Sequence, residues 1–201
     1  MRGNPDLRPE DGLAWDAGAE VRLGPRLALQ AAFFGQRYER VILFVPVQAQ
    51  LIEARDDFGA RILGQEAALD ARLGPARLSA AYTHLDARFD RAPEAPLPYR
   101  PAHRLHARLG AMVSRAEVFV AADARSETGA DRFGYRKVPG HLLWDLGAHG
   151  PVGQDFDAGL TFRNVLDVRD ARDAVQQPLP GRTWLFTLRY APAADSGLAA
   201  P

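Results

Sequence analysis

Leu13-Ala14-Trp15-Asp16-Ala17-Gly18-Ala19-Glu20-Val21-Arg22-Leu23 alternates without a break: the odd positions are apolar, and the even positions are charged or small. Successive side chains of a β-strand point to opposite faces, so a period of two marks a strand with one apolar and one polar face. Working outward, the alternation returns at Leu69-Asp70-Ala71-Arg72-Leu73, at Arg104-Leu105-His106-Ala107-Arg108-Leu109 and at Glu117-Val118-Phe119-Val120. It returns again at Leu142, Trp144, Leu146 and Ala148, at Phe156, Ala158, Leu160 and Phe162, and finally at Trp184, Phe186, Leu188 and Tyr190. No segment of useful length has a helical period. The pattern predicts nine strands, at residues 12–23, 27–41, 58–73, 76–89, 100–112, 115–127, 138–149, 154–165 and 181–191. Most are longer than the five or six residues usual in soluble sheets.

The connections carry further information. Gly24-Pro25-Arg26, Gly74-Pro75, Met112-Val113-Ser114 and Gly150-Pro151-Val152-Gly153 are short. Residues 42–57, 90–99, 128–137 and 166–180 are long, and short and long alternate throughout. An antiparallel up-and-down barrel in an outer membrane has this asymmetry, with tight periplasmic turns and extended outer loops. With the short turns periplasmic, the last strand runs inward and leaves the C-terminus in the periplasm. Asp16, Glu20, Arg22, Glu66, Asp70, Arg72, Arg104 and Arg108 then share the polar face, which in a membrane barrel lines the lumen. A one-residue slip would turn such charges toward lipid at roughly 2–4 kcal/mol for each basic residue at mid-membrane.

Composition narrows the function. The 201 residues carry 25 basic and 25 acidic side chains, a net charge of zero that argues against a nucleic-acid surface. Apolar residues make up 47%, too many for a disordered chain. There is no cysteine, so a disulfide framework and a Cys-ligated metal are excluded. Lys137 is the single lysine among the basic residues, as a GC-rich coding sequence would give. No run approaches the roughly 18 apolar residues of a spanning helix. The longest, residues 41–47, contains Pro46 and reads as strand packed in a barrel wall or loop cluster. The start, Met1-Arg2-Gly3-Asn4-Pro5, has no apolar core of a secretory signal.

Several segments resemble one family. Asn4-Pro5-Asp6-Leu7-Arg8-Pro9-Glu10 resembles the Asn-Pro-Asp-Leu-Lys-Pro-Glu signature of TonB-dependent receptor barrels, with Arg for Lys. Trp15-Asp16-Ala17-Gly18-Ala19-Glu20 fits the strand that follows in that family. Ala60-Arg61-Ile62-Leu63-Gly64-Gln65-Glu66, Tyr82-Thr83-His84-Leu85-Asp86-Ala87 and Pro98-Tyr99-Arg100-Pro101-Ala102-His103-Arg104-Leu105 resemble further family segments, in the family's order. So do Phe162-Arg163-Asn164-Val165-Leu166-Asp167 and Pro180-Gly181-Arg182-Thr183-Trp184.

The resemblance implies an all-β fold in which this chain supplies about nine strands of a barrel of about 22 strands. It implies a barrel portion at residues 1–191 and a disordered tail at 192–201. The expected partners are outer-membrane lipid, a plug and further barrel strands N-terminal to this portion, TonB acting through that plug, and the BAM-type insertion machinery, with Tyr190 as the terminal aromatic. When complete, such a receptor imports siderophore-iron, cobalamin or a similar bulky solute. The other readings are a small self-standing or oligomeric outer-membrane barrel with a pore or structural role, and a soluble barrel holding a lipophile. Two open edges count against the small barrel, because unpaired backbone groups in lipid cost several kcal/mol each.

No Ser-His-Asp set, phosphate loop or paired carboxylate stands out, so neither an enzyme nor a cofactor is expected. His103 and His106 fall on opposite strand faces, and His84, His141 and His149 lack a partner at ligand spacing, so no metal site is expected. Tyr99, Arg100 and Arg136 lie near loop bases, where an anionic ferric chelate could be held. Asp56-Asp57 and Arg169-Asp170-Ala171-Arg172-Asp173 read as solvated loop tips.

Overall fold

A computed structural model describes residues 3–48, 51–90, 92–131, 135–173 and 177–190. The expected tail at 192–201 lies outside them. The strands are β1 (Asp11–Arg22), β2 (Leu27–Gln48), β3 (Leu51–Leu73), β4 (Ala76–Phe89), β5 (Ala92–Pro96), β6 (His103–Val113), β7 (Ala116–Arg125), β8 (Thr128–Gly129), β9 (Lys137–Val138), β10 (His141–Val152), β11 (Phe156–Arg163) and β12 (Thr183–Tyr190). Ten of them form one antiparallel sheet: nine run in the order β1-β2-β3-β4-β6-β7-β10-β11-β12, and β5 pairs with β4 off that path. This is the meander that the alternation predicts. The sheet is open: among the described residues, β1 pairs only with β2 and β12 only with β11.

The short connections sit at one end, and each turns on a left-handed residue: Gly24 (φ 73°), Gly74 (φ 64°), Ser114 (φ 59°) and Gly153 (φ 75°). Glycine adopts that conformation without a Cβ clash; Ser114 adopts it where no glycine is available. Two turns lie further along than the sequence indicates, because β6 runs to Val113 and β10 runs through Pro151 to Val152.

The long connections are less loop-like than expected. Residues 42–48 continue β2, and residues 51–57 begin β3, well past the neighbouring strands. The alternation in the sequence stops at residue 41, where the predicted second strand ends. The structure shows why it can continue. Register shifts at Tyr38/Val41 and Val41/Leu43 interrupt the ladder, and Val45 beyond them is buried. Residues 90–99 contain β5, which pairs with β4, and residues 128–137 contain the small β8–β9 hairpin.

The register fixes the faces. Glu20 pairs with Gln30, Gln30 with Ala68, Ala68 with Ala81, Ala81 with His106 and His106 with Asp123. Asp70 joins Ser79 and Arg108, Glu66 joins Thr83 and Arg104, and Arg72 joins Arg77. All eight charged residues singled out from sequence thus stand on one face. The other face is apolar and open: Leu13 is 72% exposed, Trp15 52%, Trp184 65% and Phe186 67%. Two glycines let aromatic rings lie flat across strands. A Cβ on Gly35 would stand 2.5 Å from the Trp15 ring on the apolar face, and one on Gly64 would stand 2.1 Å from Phe34 on the polar face. Neither ring can keep its place beside a larger residue.

Candidate functional site

The polar face is laced with charge pairs. Glu20 accepts from Arg22 and, at 2.9 Å, from Gln30 Nε2. Asp70 pairs with Arg77 at 2.7 Å, and Asp157 with Arg189 at 2.7 Å. Glu117 holds both Arg108 and His149, and the Arg108 guanidinium lies 4.1 Å over the Phe119 ring. Opposite charges meet across strands, which is the arrangement that stabilises a sheet face.

Toward the long-loop end, two clefts open on this face. The first, about 480 Å³, is lined by Glu10, Gln36, Tyr38, Val41, Ile62, Phe89, Tyr99 and Arg100, among others. Its floor is apolar, and its polar side chains are two phenols, one carboxylate, one carboxamide and one guanidinium. Tyr99 holds a left-handed conformation (φ 59°) because its N–H donates to the Gly129 carbonyl at 2.8 Å. The structure therefore brings Tyr99 and Arg100 together. Arg136 stands apart at the β8–β9 hairpin, where its N–H donates to the Asp131 carboxylate at 2.7 Å.

The second cleft, about 460 Å³, joins Arg104, one of the eight charged residues of the polar face, to residues that the sequence does not mark as a site. Thr83, Arg104, His106, Asp123, Arg125 and His141 form its floor, and Asp173 and Leu179 of the last long connection reach over it. Arg125 Nη2 donates to the carbonyls of Arg172 and Asp173. Arg172 and Asp173 are thus clamped to the sheet, and the expectation of a solvated tip does not hold there. His141 Nδ1 and Arg125 Nε are buried without a hydrogen-bond partner. Parity along β7 and β10 was the available signal: Arg125 and His141 are register partners on the charged face. His84, expected to stand alone, stacks on His103 across β4 and β6 with ring centroids 4.8 Å apart, and Tyr82 Oη lies 2.7 Å from His103 Nδ1. Among the described residues, no three His, Asp or Glu side chains converge as metal ligands.

Residues 4–10 are a strap on the long β2–β3 hairpin. Asn4 Nδ2 donates to the Ala54 carbonyl at 3.0 Å, Arg8 pairs with Asp56 at 2.9 Å, and the Glu10 carboxylate accepts the Ile42 N–H at 2.8 Å. Ile42 sits where the register shifts, so Glu10 supplies an acceptor that the ladder lacks there. Asp56 is accordingly no solvated tip. The side chain and backbone N–H of Arg8 hold its carboxyl below the ordinary carboxylate range. A depressed carboxyl pKa favours the strapped form above the unfolded value and loses that preference as pH falls through the lowered one. A spin label on Asp6→Cys, which would be the chain's single cysteine, should therefore be immobile near neutral pH and become mobile below about pH 4. Asp56→Asn should remove that pH dependence.

The chain matches the family model described as "TonB dependent receptor-like, beta-barrel" over residues 1–165. Among solved structures it is similar to the ferric-catecholate import receptor Fiu from E. coli K12 at 19% identity, with a TM-score of 0.70, covering 92% of this chain and 28% of that one. It is similar to the siderophore receptor PiuA from Acinetobacter baumannii at 18% identity and TM-score 0.73, covering 90% and 28%. It is similar to the copper transporter OprC at 17% identity and TM-score 0.78, covering 94% and 33%. These likenesses are of fold, and the chain spans about a third or less of each receptor. No curated protein matches by sequence.

Proposed function

The chain belongs to the TonB-dependent receptor β-barrel family, and from that premise we propose that it forms the C-terminal part of such a barrel. The family is one of outer-membrane receptors and transporters rather than enzymes. In this reading further strands and an N-terminal plug complete the barrel, and TonB acts through the plug. The whole receptor imports siderophore-iron, cobalamin or a similar bulky solute.

One observation carries the reading: a single-layered sheet with one face apolar from Leu13 toward the short-turn end and the other face charged. The apolar stretch of β1 from Leu13 to Leu23 covers about 33 Å along the strand, or about 25 Å of height at a tilt near 40°. That is the height of a lipid-facing band. The polar face, with Asp16, Glu20, Arg22, Glu66, Asp70, Arg72, Arg104 and Arg108, then faces the lumen and plug. The short turns are periplasmic, as is the C-terminus, and residues 1–191 form one barrel portion that BAM-type machinery inserts. Tyr99 and Arg100 offer a phenol and a guanidinium above an apolar floor, a set suited to a flat anionic chelate.

The test is uptake of labelled ferric chelates under iron starvation by cells producing the complete receptor. Tyr99→Ala with Arg100→Ala should lower uptake about tenfold or more, the cost of losing one or two charge-assisted contacts. Arg26→Gln, in a short turn, should leave it unchanged. Import by the double variant at the parent rate would overturn this site.

A further inference from the structure

We propose that the outward side of the sheet carries a binding site for the phosphorylated headgroup of an outer-leaflet lipid, built from Arg37, Arg61 and Arg88. The proposal rests on the reading that the apolar face meets lipid. On that face Arg37 of β2 pairs in register with Arg61 of β3, and Arg61 with Arg88 of β4. Like charges placed directly opposite destabilise a sheet unless something between them compensates. The available carboxylates compensate in part. Arg88 pairs with Asp86, and Arg37 reaches Asp90 only at 3.7 Å. Arg61, exposed between the two, has no ion pair among the described residues.

Position gives the row its ligand. Leu13, at the top of the apolar stretch of β1, is the register partner of Arg37. Phe33 and Leu63 lie two to four residues from the row on the same face and are 54% and 40% exposed. Tyr82, His84 and His103 form a polar-aromatic girdle beside them. Neighbouring strands stand about 4.8 Å apart, so the row spans about 10 Å, which one headgroup can cover. Guanidinium groups bind phosphate oxygens in pairs, and apolar side chains directly below receive acyl chains. A soluble anion could use only the upper half of this surface; a phosphorylated lipid uses both.

The experiment takes the full chain in maltoside micelles, where water reaches its two open edges. Native mass spectrometry then reads retention of lipid A against dephosphorylated lipid A. The parent chain should retain the phosphorylated form alone, and a millimolar excess of inorganic phosphate should not displace it. Arg37→Gln/Arg61→Gln/Arg88→Gln should bind on the order of a hundredfold more weakly, and Arg61→Gln alone about fivefold, taking each arginine beside a charged lipid surface at its usual worth. Arg26→Gln/Arg115→Gln, in the short turns, should bind like the parent. Equal retention of the two lipids, displacement by inorganic phosphate, or undiminished binding by the triple variant would overturn the proposal. If the triple variant loses its β circular dichroism, Arg61→Gln and the dephosphorylated lipid decide the matter. Brominated acyl chains test the premise separately, because Trp15, Trp144 and Trp184 share the apolar face and should all be quenched; unquenched tryptophans would sink the outward reading itself.

Discussion

Produced without further strands, the chain is expected to raise solute uptake into liposomes no higher than protein-free liposomes do. The reason lies in its edges. β1 has 12 residues and β12 has eight, and each has a single hydrogen-bonded neighbour among the described residues. About half the residues of an edge strand direct their N–H and C=O away from the sheet. In water those groups are solvated; in hydrocarbon each costs several kcal/mol. The sum is on the order of tens of kcal/mol, far beyond the stability of an ordinary domain. Burying the apolar face in lipid cannot offset it without a partner for both edges. Supplying the remaining strands and plug in trans should restore insertion, read as heat-modifiable migration in gels and as protection of the short turns from periplasmic protease. Uptake by the isolated chain would show that it closes on itself or on copies of itself, and would favour the small self-standing or oligomeric barrel.

Much of this fold was legible because the alternation of period two is long and clean. The strand Leu13 to Leu23 admits no helical reading, and the eight charged residues fell on one face as soon as nine strands were placed. What was not legible has definite physical causes. The extension of β2 beyond residue 41 depends on a bulge that shifts parity, and on Glu10, 32 residues upstream, accepting the Ile42 N–H. A pattern search sees the lost alternation as the end of the strand. The stacking of His84 on His103 depends on register between β4 and β6, which no spacing within one strand reveals. Tyr99 and Arg100 were found at loop bases, but the cleft they line needs Tyr38 and Phe89 from strands distant in sequence. Arg125 carries no signal in the sequence, and His141 reads there as a lone histidine, because each looks like an ordinary strand-end residue until Asp173 and Leu179 lie over them.

That connection also concentrates the largest local effect expected of a single substitution. Asn164 is 3% exposed and holds φ at 50°. Its Nδ2 donates to the carbonyls of Val168 at 2.9 Å and Pro180 at 3.2 Å, and its Oδ1 accepts the Val168 N–H at 2.9 Å. Its own N–H donates to Asp145 at 2.9 Å, which ties the loop to β10. Three residues on, Asp167 accepts the Arg182 N–H at 2.9 Å and would meet a Cβ on Gly181 at 2.8 Å. The segments 162–167 and 180–184 are thus two halves of one knot that returns the chain so β11 can pair with β12. Asn164→Ala removes three side-chain hydrogen bonds and strands buried donors and acceptors at about 1–3 kcal/mol each. The expected loss is about 3–5 kcal/mol, read as a lowered urea midpoint and rapid protease cleavage within residues 166–180. Asn164→Gly separates conformation from bonding, because glycine accepts the left-handed backbone but makes none of the contacts. It should lose nearly as much as alanine. A glycine variant as stable as the parent would mean that backbone conformation alone, and not the hydrogen-bonded knot, holds β12 in the sheet.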